Sequence, residues 1–342
     1  MRRPPRLRGR GLSGPAMALV ALCVVAALTA SASVYVVATD APYPVPGGLS
    51  FVRTGGYATR YEAWGAPSAH PVVLVHGAFE SVATWRPVAR RLAAGEHVEA
   101  YDLEGYGYTD HVGPYTTESL ATQLAGFLAA RQLRHPVLVG HSLGAGVIAR
   151  FVLDHPGVAA GVVFVDGDGL SVRYPGTWVP GAVPDPFRTA AYRAVVRNRA
   201  LLTTIFGLAC GPDCPTLTAA QLDDVQHPLL VAGAEEALVA YASRPVVGVS
   251  AAELVHVRSP SLAAAVVFGA EDAEYPATAP AVTAARIGAS TAVRIADCGH
   301  LSLWSHPAQV AAVVQGLVDR LATDAPAAGQ SDQGSPAVTS TP

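Results

Sequence analysis

A serine between two glycines is the strongest candidate for chemistry in this chain of 342 residues. Gly140-His-Ser-Leu-Gly144 matches the pattern G-x-S-x-G, in which a nucleophile occupies a sharp turn between a strand and a helix. An apolar run precedes the motif and a helical pattern follows it, so the context fits. The glycines leave room for neighbouring backbone, and the helix start favours a bound oxyanion. The motif predicts Ser142 as a nucleophile, the alternative being a tight turn that contains a serine.

The stretches around this motif alternate between strands and helices. Short apolar runs predict strands at 71–75, 98–101, 136–139, 162–165, 264–268 and 292–295. Helical spacing of apolar residues predicts helices at 85–94, 119–133, 146–153 and 308–321. Such alternation is typical of an α/β fold with a mostly parallel sheet and helices on both faces.

The alternation stops between residues 168 and 260. There the pattern predicts helices joined by turns rich in Pro and Gly, at 188–206, 218–226 and 228–242. We interpret 168–260 as a helical cap between two halves of the core, 41–167 and 261–322, because ligands of open α/β sheets bind at the carboxyl ends of strands. Some aromatic and apolar cap residues could bind an apolar acyl or alcohol group, or could pack the cap itself: Trp178, Phe187, Tyr192, Ile205, Phe206 and Tyr241.

In its order of motifs the chain resembles the α/β-hydrolase family, from about Tyr57 to Leu321 without the cap. Four features carry the resemblance: His76-Gly77 after a strand, Asp102-Leu-Glu-Gly105-Tyr-Gly107, the Gly140–Gly144 turn, and Gly299-His300 after the last strand. The resemblance implies a serine hydrolase that cleaves a carboxylic ester, or a related acyl bond, through an acyl-enzyme. Epoxide hydrolases and haloalkane dehalogenases of this fold use an aspartate where this chain has a serine, so acyl transfer is favoured.

The resemblance also implies which residues assist Ser142. The family order is serine, then acid, then histidine along the chain. His300 follows the last predicted strand and is therefore expected to be the general base. Asp272 follows the penultimate strand, where the family keeps the carboxylate that orients the histidine. Glu271 and Asp166 stay open as alternative acids.

The oxyanion hole of this family consists of two backbone N–H groups. One belongs to the residue after the nucleophile, which is Leu143 here. The other comes from the loop after the His-Gly strand, which makes Ala78 the candidate and Phe79 the alternative. Among the nearby polar residues, Asp102 is expected to brace the neighbouring loop and His141 to shape the turn that carries the serine.

Composition narrows the partners further. The net charge of −3 gives no reason to expect nucleic acid, and no metal, nucleotide or flavin motif is present, so no cofactor is predicted. A small ester-like molecule is the expected partner, while its identity and the oligomeric state stay open. The same triad serves amidases, thioesterases, haloperoxidase-like enzymes and C–C bond hydrolases, and the fold also hosts silent binding proteins of the cell envelope. Cys210 and Cys214 could form a disulfide in an oxidising compartment.

Both ends of the chain differ in composition from the middle. Residues 1–40 begin with an arginine-rich block and continue as an apolar run, at about 16–38, that is long enough to cross a membrane. This segment is interpreted either as an uncleaved anchor or as a signal peptide cleaved at Ala30-Ser31-Ala32. Both interpretations place the rest of the chain outside the cytoplasm. Residues 323–342 contain almost nothing to bury and are predicted to form a disordered tail.

Overall fold

The computed structural model describes residues 14–171, 183–244 and 247–324. Within these ranges, eight strands form one sheet in the order β1-β2-β4-β3-β5-β6-β7-β8. Their bounds are β1 Ser50–Thr54, β2 Tyr57–Trp64, β3 Pro71–Val75, β4 His97–Tyr101, β5 Val137–His141, β6 Gly161–Val165, β7 Ala263–Gly269 and β8 Thr291–Ile295. Strands β3 to β8 pair in parallel, whereas β1 and β2 form an antiparallel hairpin at one edge. The predicted α/β class with a mostly parallel sheet is confirmed.

Helices cover both faces of this sheet. Their bounds are α1 Gly14–Ala38, α2 Arg86–Leu92, α3 Thr117–Arg131, α4 Leu143–Asp154, α5 Phe187–Val196, α6 Arg199–Cys210, α7 Ala219–Gln226, α8 Ala234–Ala242, α9 Ala251–Leu254, α10 Ala279–Ile287, α11 Ser302–Ser305 and α12 Pro307–Asp324. One face packs on α3, α4 and α10, and the other packs on α2 and α12. Helices α5 to α9 stand between β6 and β7 in the chain, and we call them the inserted helices.

Strands β3, β6 and β7 are apolar throughout because both of their faces are buried. In β3, Val73 and Val75 face the layer of α3 and α4, while Val72 and Leu74 face the layer of α2 and α12. All four side chains are fully buried. Alternate residues of a strand point to opposite faces, so a strand covered on both sides favours apolar side chains at every position. Strand β4 is also fully buried and carries Glu99, which pairs with Arg131 at 2.8 Å.

The structure corrects two helix predictions in the insertion. The helix expected over 188–206 is two helices, because the Asn198 side chain accepts a hydrogen bond from the Leu201 N–H at 3.1 Å and starts α6 there. The helix expected over 228–242 begins only at Ala234, after Gly233 with a φ of 85°. Both breaks occur at residue types that favour helix ends.

The ends of the chain add one apolar helix and a longer last helix. Among the described residues, one helix is long and apolar enough to span a membrane, Met17–Ala38, with a mean hydropathy of 2.3. Its role as an anchor or a signal, and the location outside the cytoplasm, stay predictions. Helix α12 continues to Asp324, and residues 325–342 and Trp178 lie outside the described residues. The division into a cap and two core halves also stays a prediction.

Candidate active site

Ser142 occupies the turn between β5 and α4. Its φ of 50° and ψ of −116° lie in a region that side chains rarely adopt. A Cβ on Gly140 would stand 2.5 Å from the Gly144 carbonyl, and a Cβ on Gly144 would stand 2.3 Å from the Val75 oxygen. Both positions therefore require glycine for the backbone to pass. The turn presents the serine hydroxyl at the carboxyl end of the sheet.

A chain of hydrogen bonds joins three of the predicted site residues. The His300 Nε2 lies 2.9 Å from the Ser142 Oγ, and the His300 Nδ1 lies 2.8 Å from the Asp272 Oδ2. The Asp272 Oδ1 accepts a further bond from the Glu274 N–H at 2.9 Å. Since a carboxylate only accepts, the imidazole proton belongs on Nδ1 and Nε2 is free to accept from the serine.

The charge state of His300 follows from two opposing effects. Burial lowers the pKa of His300, but the hydrogen bond and the charge of Asp272 raise that pKa above its usual value. The ring of His141, 5.1 Å away, acts in the opposite direction to Asp272. Asp272 therefore stabilises the protonated form of His300, which is the form that results when Nε2 accepts a proton.

The structure places the two alternative acids elsewhere. Glu271 is exposed, and its N–H donates to the Cys298 carbonyl at 2.8 Å. Asp166 is fully buried and accepts hydrogen bonds from the N–H groups of Gly269, at 2.8 Å, and Ser302, at 3.0 Å. Asp166 thus ties β6 to the loop that carries His300. Of the three candidate carboxylates, it is Asp272 that lies against the His300 ring.

The two candidate oxyanion donors lie beside the serine. Ala78 and Leu143 line the same cavity as Ser142 and His300. Within the described residues, neither their N–H groups nor that of Phe79 donates to a protein acceptor. Phe79 is 57% exposed at the rim of the cavity, with a φ of 61°. The arrangement leaves donors free for a ligand atom near the serine.

A buried ion pair next to this turn was missed by the sequence analysis. The His141 Nδ1 lies 3.0 Å from Glu80 Oε1, and the His141 Nε2 lies 2.8 Å from the His300 carbonyl oxygen. Burial lowers the pKa of His141, but the charges of Glu80 and Asp166 outweigh it and raise the pKa to about 9. The second Glu80 oxygen accepts from the Gly77 N–H at 2.8 Å. His141 therefore joins the loop before α2 to the loop of His300.

The sequence gives a signal for one member of this pair, Glu80, but none that identifies its partner. Glu80 is the only carboxylate in the stretch between β3 and α2, where several neighbours are apolar, and this placement indicates a buried partner. The partner, His141, lies 61 positions later, and the expectation that it shapes the turn named no contact for it. The other predicted brace, Asp102, accepts hydrogen bonds from the N–H groups of Val82 and Tyr108, at 2.6 and 2.8 Å.

Ser142 and His300 open into a cavity of about 660 Å³, a size typical of small-molecule sites. Most of its wall is apolar, and the inserted helices contribute twelve of its 33 lining residues. Of the cap residues singled out in the sequence, four line it: Tyr192, Ile205, Phe206 and Tyr241. Phe187 is outside the lining. The cavity can therefore enclose an apolar group next to the serine.

Metal-binding residue types are dispersed in the described part of the chain. No three His, Cys, Asp or Glu side chains converge there in the manner of a metal site. Cys298 is buried, and burial raises the pKa of its thiol to about 12, so a thiolate is disfavoured. Cys210 and Cys214 form a disulfide.

Comparison with known proteins defines the class. The family model described as "Alpha/beta hydrolase family" matches residues 72–313, which is more than half of the chain. The chain belongs to this family.

Two curated relatives are similar to the chain over part of its length. A 2-hydroxy-6-oxo-2,4-heptadienoate hydrolase of Pseudomonas putida is 36% identical over 125 residues, which cover 35% of this chain and 45% of that protein. Ethanol acetyltransferase 1 of Cyberlindnera fabianii is 30% identical over 118 residues, covering 34% and 35%.

These sequence matches span less than half the length of either relative. Solved structures resemble the chain over a greater length. A membrane phospholipase A described as a bacterial virulence factor has a TM-score of 0.64 and 22% identity, covering 90% of this chain and 98% of that one. A serine hydrolase of carbazole degradation has a TM-score of 0.64 and 22% identity, covering 80% and 98%. The epoxide hydrolase CorEH has a TM-score of 0.65 and 17% identity, covering 80% and 99%. At these identities the likeness extends to the fold alone.

Proposed function

We propose that the chain is a serine hydrolase that cleaves a carboxylic ester through an acyl-enzyme on Ser142. In this proposal His300 is the general base, Asp272 orients it, and the N–H groups of Leu143 and Ala78 form the oxyanion hole. The observation that carries the proposal is the continuous hydrogen-bonded path from Ser142 through His300 to Asp272, at 2.9 and 2.8 Å, at the base of an apolar cavity. Nucleophile, base and orienting acid lie at the distances that acyl transfer requires.

The first half of the reaction forms the acyl-enzyme. The Ser142 Oγ bonds to the carbonyl carbon while its proton passes to the His300 Nε2. The carbonyl oxygen becomes an oxyanion, which accepts hydrogen bonds from the N–H groups of Leu143 and Ala78. The ester C–O bond then breaks, and the proton on Nε2 passes to the leaving alkoxide. Asp272 holds the Nδ1 proton throughout and stabilises the imidazolium between the two transfers.

The second half repeats these steps with water. A water molecule gives one proton to His300 Nε2 and bonds to the acyl carbon, and the oxyanion forms at the same place. Collapse breaks the bond to the Ser142 Oγ, which recovers its proton, and a carboxylic acid leaves. Serine, histidine and aspartate return to their starting states, so water is the only other reactant consumed.

The cavity wall supports an apolar acyl or alcohol group as the part of the substrate next to the ester. Its lining by Tyr192, Phe206 and Tyr241 from the inserted helices suits aliphatic or aromatic groups better than charged ones. We propose that residues 168–260, which contain these helices, act as a cap that selects the substrate. The named relatives include a hydrolase and an acetyltransferase, so the family itself does not select the acyl acceptor.

Covalent labelling and turnover test the nucleophile together. The full chain is treated with a fluorophosphonate, and the rate on a soluble aryl ester is measured. We expect the label on the peptide that contains Ser142, and Ser142→Ala should lose both the label and turnover by about four to six orders of magnitude. Ser243→Ala, at an exposed serine after α8, is the matched control and should keep both. Labelling elsewhere, or an active Ser142→Ala, would refute the assignment. An unlabelled native chain would favour a binding protein.

A further inference from the structure

The apolar helix α1 ends against the inserted helices. Its segment Met17–Ala38 has 22 residues, about 33 Å at 1.5 Å per residue, which matches a hydrocarbon core of about 30 Å. Large apolar side chains are exposed all around it, from Met17 to Val37. Only the last turns are covered, where Ala32, Tyr35 and Val36 are partly buried and the helix packs on α5. An apolar surface on every side suits a helix in lipid rather than in water.

Two arginines of the insertion hold the end of this helix. Arg193 Nη1 donates to the Val36 carbonyl at 2.8 Å, and its Nη2 lies 3.1 Å from the Asp40 Oδ1. Arg197 Nη2 donates to the carbonyls of Thr39 and Ala41 at 2.8 and 2.9 Å. The last carbonyls of a helix lack partners within it, and cations there are stabilising. The first inserted helix, α5, is thereby held at the level where the apolar span ends.

The next helix of the insertion carries an uncovered apolar stripe. Leu201, Ile205 and Leu208 of α6 are spaced by four and three residues, so they share one side of the helix. They are 37, 47 and 80% exposed, respectively. Helix α6 begins two residues after Arg197, which itself contacts the end of α1. The stripe therefore starts close to the point where the apolar span meets the insertion.

This stripe is continuous with the cavity. Ile205 belongs to the stripe and also lines the cavity that contains Ser142, together with Leu202, Phe206 and Ala209 of the same helix. A half-exposed residue shared by the surface and the cavity wall marks a place where the two meet. An apolar molecule on the stripe would reach the cavity without crossing a polar surface.

We propose that α1 is an uncleaved membrane anchor and that the α6 stripe lies on the outer surface of the same bilayer, with the cavity mouth facing lipid. The occupant of the stripe is the bilayer itself, because the stripe adjoins the end of the membrane-spanning helix. Delivery of a long-chain ester from the bilayer to Ser142 follows, and this second step rests on the proposed esterase function. The docking itself does not depend on that function.

Fluorescence quenching tests the docking without using activity. Cys23 is exposed and is replaced by serine, whereas Cys298 is buried and Cys210 and Cys214 are paired. In this background Leu201→Cys is labelled with an environment-sensitive dye, and the full chain is reconstituted in phosphatidylcholine vesicles. The control is Val282→Cys on α10, whose residue is 42% exposed in the native chain. We expect brominated phosphatidylcholine to quench the dye at 201 at least about twofold more than at 282.

A charge on the stripe tests delivery. Leu208→Glu should lower kcat/KM about tenfold for para-nitrophenyl palmitate dissolved in the vesicles, because the carboxylate must remain in water. It should leave the rate on soluble para-nitrophenyl acetate unchanged, since Leu208 does not line the cavity. Val282→Glu is the matched control and should change neither rate. Inactivity of every variant and of the native chain on both esters would contradict the esterase proposal while the quenching result still stands.

Two results would overturn the docking proposal. One is equal quenching at positions 201 and 282. The other is a mature protein whose measured mass shows cleavage near Ala32, because the bilayer-spanning part of α1 would then be absent. If docking holds but Leu208→Glu affects both esters equally, the stripe does not serve delivery and that step is wrong.

Discussion

Replacing Glu80 by glutamine separates charge from shape in the buried pair with His141. The amide keeps an oxygen that can accept from the Gly77 N–H, now at 2.8 Å from the carboxylate. It removes the negative charge that lies 3.0 Å from the His141 Nδ1. Asp166 remains 3.8 Å from the His141 Nε2, and the rings of His300 and His76 also face this histidine. We expect the pKa of His141 to fall in this variant, because the Glu80 charge that raises it is gone.

The size of the effect follows from the pKa of His141. A pKa of about 9 in the folded chain against 6.5 in the unfolded chain corresponds to about 3 kcal/mol, at about 1.4 kcal/mol per pH unit. Because the folded pKa is the higher one, this stability is complete below pH 6.5 and is lost as the pH rises through about 9. Glu80 contributes through the same pair, and its pKa is lowered, so its share would fade only in acid.

Urea unfolding of the full chain in detergent, followed by tryptophan fluorescence, measures this difference. Glu80→Gln should be less stable than the native chain by about 3 kcal/mol near pH 6, and by less than about 1 kcal/mol near pH 10. Glu271→Gln is the matched control, since it removes the same charge at an exposed position close to the site. It should differ from the native chain by less than about 0.5 kcal/mol throughout.

A difference between Glu80→Gln and the native chain that stays constant across this pH range would refute the reasoning. Such a result would mean that shape and hydrogen bonding, not charge, account for the role of Glu80. An unchanged stability at every pH would show that the pair makes no net contribution, as happens when the desolvation of two buried charges cancels their attraction.

Two further predictions concern the turn and the acid. Gly144→Ala should destabilise the chain by about 3 kcal/mol, because the added Cβ would lie 2.3 Å from the Val75 oxygen. Gly207→Ala in α6 is the control, since its Cβ would have no atom within 4 Å, and it should stabilise the chain by about 0.5–1 kcal/mol. Thermal unfolding of the two variants and the native chain measures both changes. Asp272→Asn should lower kcat on a soluble ester by about four orders of magnitude. The native kcat/KM should rise with pH through a value above 6.5, and in this variant the midpoint should fall, since Asp272 raises the pKa of His300.

Strands β3 to β7 could be predicted from the sequence to within two residues because their burial is two-sided. A short, unbroken apolar run such as β3, ending at a His-Gly turn, is typical of a strand that is covered on both faces. The edge hairpin of β1 and β2 was missed because its second strand contains a buried charged residue. Strand β2 contains Arg60 and Glu62, and Arg60 is only 2% exposed because it pairs with Glu62 and with Asp102 at 3.4 Å. A buried arginine breaks the alternation by which a strand is recognised, and its partner lies far along the chain.

The candidate site also contains residues that the sequence predicts and contacts that it does not. Chain order and turn residues suffice to propose Ser142, Asp272 and His300, because the fold brings the carboxyl ends of parallel strands to one edge. Order along the chain carries no information on the pair of Glu80 and His141. It carries none on the contact of Arg193 with Val36 either, which joins residues 157 positions apart. Such contacts arise from the packing of elements, which a single sequence does not encode locally.

The reacting groups and the path that leads to them belong to different parts of the fold. The reacting groups lie on loops that follow buried strands, where hydrogen bonds such as those of Asp166 to Gly269 and Ser302 hold them in place. Part of the cavity wall and the contacts with α1 belong to the inserted helices, where the side chains of Leu201 and Leu208 are left uncovered by the rest of the protein. A substitution on α6 can therefore alter which esters reach Ser142 without changing the rate at which a bound ester is cleaved. A change near Ser142 should act on every ester alike, and this difference in pattern is what the paired vesicle and solution assays measure.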